Sequence, residues 1–304
     1  MVRTGFLTTA AIAALLIAVS GCRIAGSAEP PPFDGPRAFS LLERQVAFGP
    51  RIPGTDTHTE TAEWLAGQLR DLCPNVSMQR FTDEFDGRSV DMTNIIASFY
   101  SGKRERVLLC AHWDSRPKAD RDPDPTLWTQ PVPGANDGAS GVAVLLEMAR
   151  ILAEHEPPVG VDIVFFDGED GGSYGDNDTW LLGSRYFAAA MPDGYRPRWA
   201  VLLDMIGDRD LSLTRDANSR YGAPDLWRRL QDEAGKAGVS FSERETVVID
   251  DHVPLIERGI PAIDLIDFDY PWWHTVADTP DKCSPESLEK IGTIVLRLVY
   301  GEES

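Results

Sequence analysis

The chain has 304 residues, 42% hydrophobic and 25% charged, which is enough apolar content for a packed core and too much for a disordered chain. Its formal net charge of −19 makes nucleic acid and anionic lipid surfaces poor partners. Four cysteines in so long a chain exclude a disulfide scaffold, although one bridge among Cys73, Cys110 and Cys283 stays open.

At the N-terminus, Arg3 precedes an apolar stretch from Phe6 to Val19, too short and too N-terminal for a transmembrane span. The stretch ends in Val19-Ser20-Gly21-Cys22. That ending resembles the lipobox of bacterial lipoproteins. The resemblance implies a signal peptide over residues 1–21, cleavage before Cys22, and acylation of its thiol and new amino terminus. An uncleaved signal anchor is the competing reading. Losing the one positive charge of Arg3 takes the net charge from −19 to −20. Several acyl chains on one cysteine anchor more firmly than one. The expected location is therefore the bacterial cell envelope, outside the cytoplasm, on the outer membrane or the periplasmic face. Arg23 follows the cysteine, where an Asp would favour inner-membrane retention in Gram-negative families. Residues 22–36, with Pro30-Pro31-Pro32, read as a semi-extended tether, and residues 37–304 as a single domain.

Within that domain a helix is expected near Arg37 to Ala47, started by Asp34 and Pro36. A second runs from about Thr57 to Leu72, where Thr57 and Glu60 have capping-box spacing. Strands follow near Ser77 to Phe81, Thr93 to Tyr100 and Val107 to Ala111. Helix returns at Gly138 to Glu154, where Val142, Leu145, Leu146, Ala149 and Leu152 share helical spacing. The nearly continuous apolar run of Val161, Ile163, Val164, Phe165 and Phe166 reads as a strand buried on both faces. A helix near Gly183 to Ala190, a strand at Ala200 to Met205 and a helix near Pro224 to Ala237 come next. A short helix at His252 to Arg258, a strand at Ala262 to Ile266 and a last helix over Pro285 to Tyr300 complete the chain. Strands alternating with helices predict an α/β fold, a three-layer α/β/α sandwich on a mixed, largely parallel central sheet.

Ligand-type side chains fall just past the predicted strand ends. They are His112 and Asp114, then Asp137 on the following loop, Glu169 and Asp170, Asp204, and His274 beside Trp272 and Trp273. Imidazoles and carboxylates are the ligands zinc takes when it keeps a position open for substrate. A carboxylate beside the metal but not on it serves as general base and acid. Each residue alone has an ordinary reading: His112 as a satisfied core histidine, Asp137 as a helix cap, Asp204 as a strand end. His58 and His155 fall on predicted helix surfaces and read as solvated. His252, after Asp250-Asp251, reads either as a helix-start residue or as a partner behind the site. Ser115 to Pro133 reads as a rim that shapes a pocket. Asp176-Asn177-Asp178 lacks EF-hand spacing and reads as a solvated loop. Convergence of five segments on one chemistry favours a joint site.

Taken in order, His112-Trp113-Asp114, Gly134-Ala135-Asn136-Asp137-Gly138, Phe165-Phe166-Asp167-Gly168-Glu169-Asp170, Leu203-Asp204-Met205 and Trp273-His274-Thr275 resemble the M28 zinc peptidase superfamily. With Leu182-Gly183-Ser184-Arg185 and Asp250-Asp251-His252 they are similar to its glutaminyl cyclase branch, in particular the bacterial, animal-like enzymes. The resemblance covers nearly the whole chain after the tether. It implies a zinc-exopeptidase-like fold in which Asp137, Asp170 and His274 bind zinc. It also implies that Glu169 transfers protons, that Asp204 and Asp250 form a hydrogen-bonded acidic network behind it, and that Trp273 lines the substrate pocket. The chain departs from many relatives at Asp170, where they have Glu, and at Gly175, where animal enzymes have a pocket tryptophan. Cys110 lacks the disulfide partner found in animal enzymes.

The leading expectation is a zinc-dependent glutaminyl-peptide cyclotransferase, turning the N-terminal Gln of peptides or proteins into pyroglutamate with release of ammonia. A zinc aminopeptidase, in which Glu169 activates water, is the alternative. An inactive peptide-binding lipoprotein is the third reading, and the intact Glu169 argues against it. All five ligand types of a two-zinc aminopeptidase are present in His112, Asp137, Asp170, Asp204 and His274. Cyclisation carries its own nucleophile and needs one Lewis acid. One zinc per monomeric chain is therefore expected, with His112 behind the ligands and Asp204 hydrogen-bonded to Asp250 or Glu169.

Overall fold

The computed structural model describes residues 1–2 and 30–303, so the apolar leader, Cys22 and the start of the tether lie outside the described residues. In chain order the elements begin with α1 (Gly35–Val46), α2 (Asp56–Arg70), β1 (Val76–Phe85), β2 (Arg88–Phe99), β3 (Arg106–His112), α3 (Ala139–Glu154), β4 (Gly160–Phe166) and α4 (Leu182–Ala190). They continue with β5 (Ala200–Asp204), β6 (Ser212–Asp216), α5 (Ala217–Gly222), α6 (Pro224–Ala237), β7 (Ser240–Thr246), α7 (His252–Glu257), β8 (Ala262–Ile266) and α8 (Pro285–Tyr300).

Period-2 alternation explains the layers. In β3, Val107, Leu109 and Ala111 face one core while Leu108 and Cys110 face another. β4 divides in the same way, with Val161, Ile163 and Phe165 opposed to Val164 and Phe166, and so does β5. Strands buried on both faces need helices on both sides. α1, α2, α3, α6 and α8 cover the first face, and α4 and α7 the second. The sheet runs β1-β2-β4-β3-β5-β8; β1, β2 and β4 pair antiparallel, and β4, β3, β5 and β8 pair parallel. This is the expected mixed sandwich.

Local details refine the sequence reading. Phe33 is buried against Gly292 of α8, where an added Cβ would stand 2.3 Å from its ring, and Asp34 caps α1 by accepting from the Arg37 N–H. Among the described residues packing thus reaches back to Phe33, a little before the expected boundary at residue 37. Thr55, not Thr57, caps α2, accepting from the His58 N–H. A separate parallel pair, β6 with β7, and the short α5 were not expected. No helix among the described residues is long and apolar enough to cross a membrane.

Candidate active site

Because β3, β4, β5 and β8 run parallel, their carboxyl ends share one edge, where open α/β sheets place their ligands. His112 is the last residue of β3 and Asp204 the last of β5; Glu169 and Asp170 follow β4, and His274 lies on the loop after β8. Asp137 closes the loop that enters α3. Gly138 beside it is the N-cap position and makes no side-chain cap, and an added Cβ there would lie 2.6 Å from the His112 ring. The Asp137 carboxylate is therefore not a helix cap but faces the cluster.

Two groups of ligand atoms share Asp137. Asp137, Asp170 and His274 form one, His112, Asp137 and Asp204 the other, each with its ligand atoms within 4.8 Å of one another. In the first, His274 Nε2 lies 3.0 Å from Asp170 Oδ1 and 3.6 Å from Asp137 Oδ2. The Oδ2 atoms of Asp137 and Asp170 are buried without any hydrogen-bond partner. In the second, His112 Nε2 is 3.1 Å from both Asp137 Oδ1 and Asp204 Oδ1. Two orphaned carboxylate oxygens beside an imidazole nitrogen fit zinc, whose open sites take such mixed O and N ligands.

Supporting residues fix this arrangement. Asp114 accepts from the backbone N–H groups of Glu169 and Asp170, each at 3.1 Å, and so aims the acidic pair. Asp278 does the same for Asn136 and Asp137, at 2.9 and 3.2 Å. Arg51, wholly buried, donates to the carbonyls of Trp113, Pro133 and Gly134, tying the Asp137 loop to the end of β3. Tyr174 places its hydroxyl 2.7 Å from His274 Nδ1, and Trp180 stacks on the same imidazole at 6.2 Å. A cavity of about 380 Å³ opens beside these groups, lined among others by Glu169, Asp250, Phe268 and Trp273.

Burial, and then the charge of Asp170, push the Glu169 carboxyl well above the usual carboxylate range. A cation on the neighbouring carboxylates opposes that push. Burial raises Asp204 to about 6 and Asp250 to about 7, the second helped by the charge of Asp204. Burial would lower the His112 pKa, but Asp114, Asp137 and Asp204 outweigh it and hold the imidazole well above its ordinary value.

The structure brings Asp137, Glu169, Asp170, Asp204, Asp250, Trp273 and His274 to one cavity, with His112 behind it. Asp204 rests on His112 at 3.1 Å, while Asp250 accepts from the Asp251 N–H at 2.6 Å. His252 starts α7 and is also buried, 3.1 Å from Asp216. His58 is not solvated: it is buried, stacked on Trp113, and bonded through Nε2 to Asp167 at 2.9 Å. His155 is exposed, as expected. Gly175 does not leave the pocket without an aromatic wall, because Tyr174 and Trp180 flank it. Cys73, Cys110 and Cys283 are buried free thiols. Arg51 and Tyr174 were not singled out from sequence; the signal for Tyr174 was its place in the loop after the acidic pair.

Fold and site define a zinc-exopeptidase-like scaffold. The sequence model of peptidase family M28 matches residues 94–299, and the chain belongs to that family. It is similar to the glutaminyl cyclase of Bacteroides thetaiotaomicron, solved bound to N-acetylhistamine, with 36% identity and a TM-score of 0.86 over 90% of this chain and 100% of that one. A Zn-dependent exopeptidase from Parabacteroides distasonis is 35% identical, with a TM-score of 0.85 over 90% and 99% of the two chains. The glutaminyl-peptide cyclotransferase of Drosophila melanogaster is 26% identical over 276 residues, 81% of this chain and 75% of that protein.

Proposed function

We propose that this chain is a glutaminyl-peptide cyclotransferase that closes the N-terminal Gln of peptides to pyroglutamate and uses one zinc. The observation that carries the reading is Glu169, buried at the cavity beside a metal-type triad whose Asp137 and Asp170 each leave an oxygen unpartnered. The similarity to glutaminyl cyclases over nearly the whole chain supports it.

A zinc held by Asp137, Asp170 and His274 supplies a Lewis acid for the γ-carbonyl oxygen of the glutamine. Glu169 takes the proton from the α-amine as its nitrogen bonds to the carbonyl carbon (Cδ) of the side-chain carboxamide. The same carboxyl then returns the proton to the side-chain nitrogen as that C–N bond breaks and ammonia leaves. Trp273, set against Phe268 at 5.1 Å, gives the glutamine an apolar wall.

The second triad gives an aminopeptidase reading its one specific support, since a bridged metal pair suits hydrolysis. Against it, the buried oxygens left without a partner are those of Asp137 and Asp170, both members of the first triad, and none belongs to Asp204. Mass analysis after incubation with a Gln-initiated peptide and with an aminoacyl amide separates the readings. Loss of ammonia without release of a residue is expected; release of a free N-terminal residue with two zincs per active chain would sink the cyclase reading. We also propose lipid attachment at Cys22, supported by Val19-Ser20-Gly21-Cys22 after the apolar stretch. An unmodified Cys22 in protein isolated from its native host would overturn it.

A further inference from the structure

The loop between β3 and α3 delivers one residue that the chemistry above does not use. Arg121 lines the same cavity as Asp137, Glu169, Asp170, Asp204 and Asp250, and is the one cation among its lining residues. Its guanidinium lies 4.4 Å from the Tyr174 ring centroid and 5.3 Å from that of Trp273, so it is held between two aromatic walls of the pocket. Nε donates to the Tyr174 hydroxyl at 3.1 Å, and the backbone N–H donates to the His274 carbonyl at 3.1 Å. The loop is clamped further where Asp122 accepts from the Val276 N–H and Asp120 is taken by Arg116. Among the described residues Arg121 forms no ion pair, although acidic residues outnumber Lys and Arg by 48 to 29 in the chain. A guanidinium positioned by stacking, with its terminal N–H groups uncommitted, is built to receive a planar anion.

Resting on the cyclase reading, we propose that Arg121 is a specificity-determining residue that binds a carboxylate of the substrate just downstream of the N-terminal glutamine. The carboxylate is either the free C-terminus of a glutaminyl dipeptide or an acidic side chain at the second position. The charges of the cavity are arranged for this. The substrate amine goes to the carboxylate end at Glu169, and the oppositely charged group meets Arg121 at the aromatic wall. Lysine at the second position meets the same guanidinium and is disfavoured.

The test compares kcat/KM for Gln-Ala, Gln-Ala amide, Gln-Glu amide and Gln-Lys amide in the zinc-loaded enzyme, its Arg121→Gln variant and its Arg121→Lys variant. The two carboxylate-bearing substrates are expected to exceed Gln-Ala amide by about threefold to tenfold, mostly in KM, as a charge-assisted contact to an exposed arginine allows. The advantage should shrink with added salt, vanish in Arg121→Gln and return in part in Arg121→Lys. Advantage for Gln-Ala alone assigns the site to the chain terminus, and advantage for Gln-Glu amide alone assigns it to the side chain. Wild-type enzyme that cyclises all four substrates equally, or keeps its preference in Arg121→Gln, would overturn this inference while leaving the cyclase reading intact. Failure to cyclise any of the four would strike the cyclase reading itself.

Discussion

Glu169 and His112 test the chemistry most directly, because each borders the proposed zinc ligands without belonging to them. Glu169→Gln keeps the shape and the backbone bond to Asp114 but removes the proton acceptor. Turnover is expected to fall by about a hundredfold or more with zinc content unchanged, since general acid–base catalysis is typically worth that much. Retained activity, measured beside elemental analysis, would move the role to another acid. His112→Ala should keep its zinc, whereas Asp170→Ala should lose it, because the orphaned oxygens belong to Asp137 and Asp170. At this scale the sequence was informative through the sum of five segments, since each imidazole or carboxylate past a strand end has an ordinary use alone and only their shared sheet edge joins them. It was silent on Arg51, whose burial depends on carbonyls of residues 113, 133 and 134 that only the folded topology gathers. It misread His58, because the partner that buries it, Asp167, follows β4 at 109 residues' distance along the chain, and only the fold brings it to α2.

Among the elements, the contact of α3 with β5 matters most for the site, since β5 ends in Asp204. Gly141 makes it close: an added Cβ would stand 2.1 Å from the Leu203 carbonyl oxygen, which is backbone and does not yield. Helix propensity favours alanine over glycine by about 1 kcal/mol. Gly141→Ala is nonetheless expected to destabilise by about 1–3 kcal/mol or more, as overpacking does, and to lower activity by displacing Asp204. Gly67→Ala in α2, with nothing within 4 Å of the new Cβ, should raise the melting temperature instead. Opposite signs in thermal denaturation check the pair; equal signs would refute the packing argument. The main helices and strands were legible because both periods are strong in them. The β6–β7 pair was not, since Ser240–Thr246 is largely exposed and polar and carries no apolar alternation to read. The cap of α2 was misplaced because Thr55 and Thr57 both offer a hydroxyl near the helix start, and only backbone geometry separates them.

For the whole molecule, the dominant property is acidity that has been carried inside. Burial raises Asp250, Asp267 and Asp278 each to about 7 in a chain of net charge −19. Asp267 is the informative one, because Asp250 lines the active-site cavity and Asp278 holds the backbone of Asp137, whereas Asp267 braces the start of β6 by accepting from the Ser212 N–H at 2.9 Å. Its folded pKa lies above the unfolded value of about 3.9, so between those limits the folded state holds a proton that the unfolded state has released. Linkage then requires stability to fall as pH rises through this window and to level off above about 7. Asp267→Asn imitates the protonated form at every pH. The variant should therefore match the parent near the acid limit and exceed it in melting temperature at pH 8. The slope of stability against pH should lose roughly one proton at most. Added salt should stabilise both proteins at high pH by screening the excess negative charge. Parallel pH profiles for variant and parent would show that Asp267 is already ionised in the folded protein, and that the cost of its burial is met by its backbone donors instead.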